Sequence, residues 1–244
     1  MLILRKECAL KVRYLIKFTK NDSIKFISHL DLMRTLQKIV RRAALPAEYS
    51  KGFNPHMSLS IAQPLSVGHY SKGDYMDLIL TEDIDIEELK EKLNSFSNLG
   101  IEFLEVTPIE IIENEKRVPK AMALIDAADY IIKIKFENPK EKLYHIEKLL
   151  EKTNWEIIKK SKKGEKMVDI RPQIINAALR YDSEYVIIDL RAYCGSREHL
   201  SPELFTDYIK GNVEGSDIEA FTYIERTEMF TRKDGEFIPL YKYV

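Results

Sequence analysis

The chain has 244 residues, 45% of them hydrophobic and 32% charged, with a formal net charge of -1; this is the balance of one large or two small globular domains, and it excludes a disordered chain and any global bias towards nucleic acid. Two distant cysteines, Cys8 and Cys194, exclude a disulfide framework and point to reduced thiols in a cytoplasmic protein. The opening run Met1 to Leu4 is too short for a signal peptide, and no run approaches the length of a membrane helix, so no membrane partner is expected.

Lys11 to Thr19 alternates apolar and polar residues and predicts a strand. Ser28, three residues before Asp31, is a helix-start signal, and Leu32, Met33, Leu36, Ile39, Val40 and Ala43 then recur at helical spacing. Pro46 closes that helix. Glu48 to Ser50 reads as a short strand and Lys51 to His56 as a loop. Strand-like Met57 to Ile61 and Asp74 to Leu80 follow, then a helix over Ile84 to Phe96 and a strand over Ile101 to Val106. The order β-α-β-β-α-β is the ferredoxin-like arrangement.

Residues 110–127 read as a linker, charged and without clean periodicity around Pro119. The order then repeats. Tyr130 to Phe136 is a strand, Lys140 to Lys152 a helix, Trp155 to Lys160 and Tyr185 to Tyr193 strands. Ser201 caps a helix to Ile209 with Pro202 at its first position, and Ala220 to Thr231 is the last strand. Ser161 to Ser183 is an insertion between the second and third strands of this half. The expected fold is therefore α+β, with tandem ferredoxin-like domains over 1–109 and 128–244. One continuous α+β domain is the alternative.

Arg34, Lys38, Arg41 and Arg42 are spaced to share one face of the first helix, opposite its apolar stripe. Such a face can track phosphates, or it can be an ordinary solvated surface. In the loop, Gly52 permits positive φ, Lys51 can grip a phosphate, Phe53 can stack on a base and His56 can serve as an acid, a base or a donor to phosphate. The plainer alternative is a structural turn with Phe53 in the core. The insertion carries Lys159, Lys160, Lys162, Lys163 and Lys166, a phosphate-attracting loop or a solvated hairpin tip. Asp169 and Arg171, two apart in an extended segment, point the same way as a functional pair or a salt bridge, and Arg226 and Glu228 share a face in the last strand.

Several chemistries have no motif here. No Cys-x-x-x-Cys-x-x-Cys cluster, P-loop, dinucleotide glycine fingerprint or Gly-x-Ser-x-Gly elbow occurs, and the five histidines show no metal-ligand spacing, so neither metal nor cofactor is expected.

Phe26-Ile27-Ser28-His29-Leu30-Asp31-Leu32 and Tyr49-Ser50-Lys51-Gly52-Phe53-Asn54-Pro55-His56 resemble the radical-SAM-linked domain family. Val168-Asp169-Ile170-Arg171-Pro172 and Arg226-Thr227-Glu228 resemble its second-half motifs. The resemblance implies a partner, a separately encoded radical SAM protein. Standalone genes of the family also sit near an RNase G-type ribonuclease and ribosomal protein genes, which implies RNA. The motif positions Ser28, His29, Asp31, Gly52, Phe53, Asn54, Pro55, His56, Asp169, Arg171, Pro172 and Arg226 carry over without assigned roles.

Three functions are compatible with these residues. The first is an accessory protein that presents ribosomal or transfer RNA to the radical SAM protein, through Arg34, Lys38, Arg41, Arg42, Lys51, Phe53, His56, Lys162, Lys163 and Arg171. The second is a metal-independent endoribonuclease or RNA-modifying enzyme, with His29 and His56 converging in one cleft beside Asp31, Asp169 or Arg171. The third is a protein-only accessory subunit that docks through the acidic stretch Glu82 to Glu115 or an exposed sheet edge.

Overall fold

The computed structural model describes residues 11–110, 118–161, 164–217 and 220–243. It is α+β, with a large mixed sheet and few helices. The described residues divide into two compact units. The first lies within Met1–Val67, Asp74–Ala123 and Tyr241–Val244, the second within Gly68–Gly73 and Leu124–Leu240.

In the first unit the elements are β1 (Val12–Lys20), α1 (His29–Arg42), β2 (Leu59–Ile61), β3 (Tyr70–Leu80) from Asp74 onward, α2 (Ile86–Ser95), β4 (Phe103–Glu110) and the short α3 (Ala121–Leu124) up to Ala123. Strand order is β4-β1-β3, with β2 on the far side of β3. Helix α1 forms where its spacing and cap direct: the Ser28 hydroxyl accepts from the Asp31 amide and donates to the Asp31 carboxylate. Its stripe of Leu32, Leu36, Ile39 and Val40 is buried against Tyr14, Ile16, Leu78 and Phe103. Each such side chain contributes on the order of 1.5–3 kcal/mol. Residues 47–50 do not form a strand; they make isolated bridges, Ala47 to Leu80 and Tyr49 to Met57.

Strand β1 reads as alternating in sequence, yet only Lys17 along it is partly exposed. The polar side chains are buried with partners. The Arg13 guanidinium donates to the carbonyls of Val118 and Pro119 at 2.8 and 3.1 Å and lies 3.5 Å from Asp77, whose carboxylate accepts from the Ala121 amide. Desolvation lowers the Arg13 pKa and raises that of Asp77, so burial outweighs the attraction within the pair. Residues 118–121 of the expected linker are thus tied down by β1 and β3, while its last residue, Ala127, opens β5 of the second unit.

The second unit contains β5 (Ala127–Lys135), α4 (Pro139–Leu150), β6 (Glu156–Ser161), β7 (Gly164–Asp169), β8 (Ile174–Tyr181), β9 (Tyr185–Tyr193), α5 (Pro202–Asn212), β10 (Tyr223–Lys233) and β11 (Glu236–Pro239). Its strand order is β10-β5-β9-β8, with β11 paired to β10. Tyr70 and Ser71, at the start of β3, pair in parallel with Glu225 and Arg226. Ser201 caps α5 as expected, accepting from the Leu204 amide.

Here one expectation is corrected. The segment around Trp155 to Lys160 is not the second strand of this sheet. It is β6, which pairs with β7 in a separate two-stranded hairpin, and the sheet's second strand is β8. The hairpin therefore precedes that strand. Trp155 anchors its base: it is fully buried, donates from Nε1 to the Leu149 carbonyl and stacks on Tyr208 at 4.3 Å.

Among the described residues no helix is long and apolar enough to cross a membrane. Cys194 is a buried thiol; Cys8 lies outside the described residues.

Candidate nucleic-acid interface

Two pieces of the first unit that the sequence singled out lie toward the same end of α1. The helix ends on Arg41 and Arg42, where cations suit the carbonyl end of the dipole. The chain then turns tightly, with the Leu45 amide donating back to the Val40 carbonyl, and Ala47 bridges to Leu80. From there residues 47–58 form a small hairpin based at the same end. Glu48 holds its base, pairing with Lys11 at the start of β1 and accepting from the Ser58 hydroxyl. Higher up, Ser50 donates its amide to the His56 carbonyl and accepts the His56 amide on its hydroxyl.

These bonds close the loop 51–55 and leave its side chains outside. Phe53 is 102% exposed, so the core-anchor alternative fails. Lys51 and His56 are exposed beside it. Gly52 sits at φ 128° with open space where a Cβ would be, so backbone conformation, rather than crowding, favours glycine there. Among the described residues Lys38, Arg41, Arg42 and Lys51 carry no salt bridge. Three helix cations, one loop lysine and a fully exposed ring thus share one end of one unit.

The remaining expected site residues are placed differently. Arg34 bonds Asp31 at 3.0 Å, one turn back on the same helix, so its charge is partly matched within the protein. Asp31 is the capping residue's partner; hydrogen bonds from Ser28 and Arg34 hold its carboxyl below the usual range, which suits an acceptor and not an acid near neutrality. His29 opens α1 and has its Nδ1 buried without a hydrogen-bond partner. His56 belongs to the hairpin based beyond the other end of the helix, about 20 Å away along its axis. The two histidines do not converge, so the cleft that the enzyme reading requires is not formed by them.

In the second unit, Asp169 and Arg171 are not a side-chain pair. Asp169 accepts from the backbone amides of Trp155 and Arg171, and the Arg171 guanidinium donates to the carbonyls of Lys152 and Ile174. The motif therefore fastens the β6-β7 hairpin to the end of α4, and the Arg171 guanidinium is engaged by backbone carbonyls. Lys162 and Lys163 lie outside the described residues. Lys160 pairs with Glu165 across the hairpin. Arg226 is buried, and a register shift at Thr227 separates it from Glu228, whose carboxylate accepts from the Met229 amide. Glu48 and Ser50 buttress the loop without any signal in the sequence; Ser50 six residues before His56 is too long-range a pairing to stand out there.

Among the described residues no group of three or more His, Cys, Asp or Glu side chains is placed to hold a metal. No curated protein matches the chain. Among solved structures it is similar to the encapsulated DyP-type peroxidase from Mycobacterium smegmatis, seen by cryo-electron microscopy. That match covers 82% of this chain and 83% of the other at 11% identity, and its TM-score of 0.23 carries no argument. The family model of DUF2344, uncharacterized proteins conserved in bacteria, matches residues 13–202, and the chain belongs to that family.

Proposed function

We propose that this protein is an accessory RNA-binding protein that holds ribosomal or transfer RNA and presents it to a radical SAM partner. The observation that carries the RNA part is the clustering of Lys38, Arg41, Arg42 and Lys51, without salt bridges, at the same end of α1 as the fully exposed Phe53. Cations supply salt-dependent attraction to phosphates, and an exposed ring supplies a stacking surface. The partner rests on the resemblance of residues 26–32 and 49–56 to radical-SAM-linked domains. We also read each unit as ferredoxin-like: the orders β4-β1-β3-β2 and β10-β5-β9-β8 both follow 4-1-3-2 within a β-α-β-β-α-β run, once the β6-β7 hairpin is set aside.

Titration of the full chain with bulk transfer RNA and with ribosomal RNA at rising salt tests this reading. Affinity falls steeply with salt, and Arg41→Glu/Arg42→Glu both weakens binding and flattens the salt slope, by about 0.7–0.9 for each phosphate no longer neutralised. Binding that ignores salt, or that the double variant leaves intact, sinks the reading.

One observation favours the protein-only alternative. Phe26 and Leu30, in the motif at the start of α1, are 65% and 64% exposed. Under that reading Phe26→Asp/Leu30→Asp abolishes co-purification of the radical SAM protein, and no RNA binds at physiological salt.

A further inference from the structure

The sheet of the second unit has a face that its helices leave open. Along β5 Ile132 and Ile134 are fully buried, so Lys133 and Lys135 project from the opposite side. Register sets their neighbours: Lys135 stands opposite Tyr185, and Lys133 lies between Ile187 on β9 and Tyr223 on β10. The Tyr223 ring stacks on Tyr70 with centroids 4.3 Å apart, and the Lys133 ammonium is 5.1 Å from the Tyr223 centroid. Lys133, Lys135, Tyr185 and Tyr223, with Ala220 and the 51% exposed Phe221, line a depression of about 320 Å³. Among the described residues Lys133 and Lys135 form no salt bridge.

The adjoining depression on the same face is a useful control. Its charges are already matched: Arg191 binds Asp129 through two hydrogen bonds at 2.7 and 2.8 Å, and Arg180 binds Asp189 at 2.9 and 3.1 Å. The open face therefore has a neutralised half and a half that combines two cations with several rings. An apolar ligand would leave both ammonium groups without a salt-bridge partner, Asp182 acting on Lys133 only at longer range, and a small inorganic anion would leave the Tyr185 ring without a stacking partner. A nucleic-acid duplex offers phosphates but hides its base faces. A single strand offers both.

We propose that the depression lined by Lys133, Lys135, Tyr185, Phe221 and Tyr223 binds single-stranded RNA, with one base on Tyr185 and the lysines on the flanking phosphates. The choice of RNA over DNA rests on the function proposed above; the assignment to a single strand rests on this face alone.

Fluorescence anisotropy of the full chain with a labelled oligoadenylate, and with an RNA duplex of the same length, tests the proposal. The single strand binds more tightly than the duplex. Tyr185→Ala weakens it at least about fivefold, the smallest loss expected for a stacked base, while Tyr185→Phe retains binding. Lys133→Gln/Lys135→Gln lowers the salt slope by about 1.4, the value for two neutralised phosphates on a single strand. Equal or tighter binding of the duplex overturns the proposal, as does unchanged oligoadenylate affinity in both Tyr185→Ala and Lys133→Gln/Lys135→Gln. The phenylalanine and glutamine replacements keep size and packing, so the result does not depend on the alanine variant folding. Arg41→Glu/Arg42→Glu in parallel reads the other site: if it alone is silent, the helix-end reading fails and this one stands.

Discussion

The two units share a strand order and differ in what they bury. In the first, β1 and β3 are buried on almost their whole length, polar residues included; Arg13, Thr19, Lys20, Asp74 and Asp77 are all inside. In the second, β5 and β9 largely alternate buried with half-exposed residues, as a one-sided sheet does. A unit whose central strands are enclosed leaves its helix ends and loops for ligands, and in the first unit the exposed cations and the exposed Phe53 ring stand on a helix end and a hairpin loop. A unit with an open sheet face can use the sheet itself.

The largest effect comes from reopening the closed unit. Asp77→Ala leaves the Arg13 charge buried without its counter-ion and the Ala121 amide without its acceptor. A loss of about 3 kcal/mol or more in urea unfolding is expected, with Asp77→Asn milder because an acceptor remains. Gly73→Ala acts on the second unit: a Cβ there would lie 2.5 Å from the Thr227 carbonyl oxygen and 2.8 Å from the Glu228 Cα. Backbone has to move, at about 1–3 kcal/mol, read from the same unfolding curves. Protonation should separate the units as well. His199 is half-buried and desolvation, the largest cause, lowers its pKa below 6.5. Its folded pKa lies below the unfolded one, so the unfolded chain binds the proton more readily and stability falls as pH drops below that range. His199→Gln flattens the fall between pH 7 and pH 5 in thermal melts. The smallest effect belongs to the open face: the exposed Arg180–Asp189 pair contributes less than about 1 kcal/mol, so Arg180→Ala leaves the melting curve nearly unchanged.

How much of this is legible in the sequence follows from which interactions are local. The α1 stripe, its Ser28 cap, the Ser201 cap and the strand Tyr185–Tyr193 depend on neighbours within a few residues, and they stand where the spacing puts them. The sheet membership of Trp155 to Lys160 does not. Both that segment and Ile174–Tyr181 have strand composition, and only the distant bonds of Trp155 and Asp169 decide that the first becomes a hairpin. Asp169 and Arg171 look like an ion pair at spacing two because side-chain direction is readable and backbone acceptors are not. Arg34 is the reverse case: Asp31, three residues earlier, is a visible partner for a cation that the basic helix face assigns to phosphate. The alternation of Lys133 and Lys135 with buried isoleucines is in the sequence, but their aromatic neighbours depend on the β10-β5-β9 order, which no local pattern carries.

The proposed RNA contact lies at the basic end of α1. Crosslinking in native cells, followed by sequencing of the bound RNA from wild type and from Arg41→Glu/Arg42→Glu, addresses it most directly. A discrete ribosomal or transfer RNA segment, enriched with the wild type and absent with the variant, is the predicted result. No enrichment over background, or enrichment that the variant retains, would contradict it.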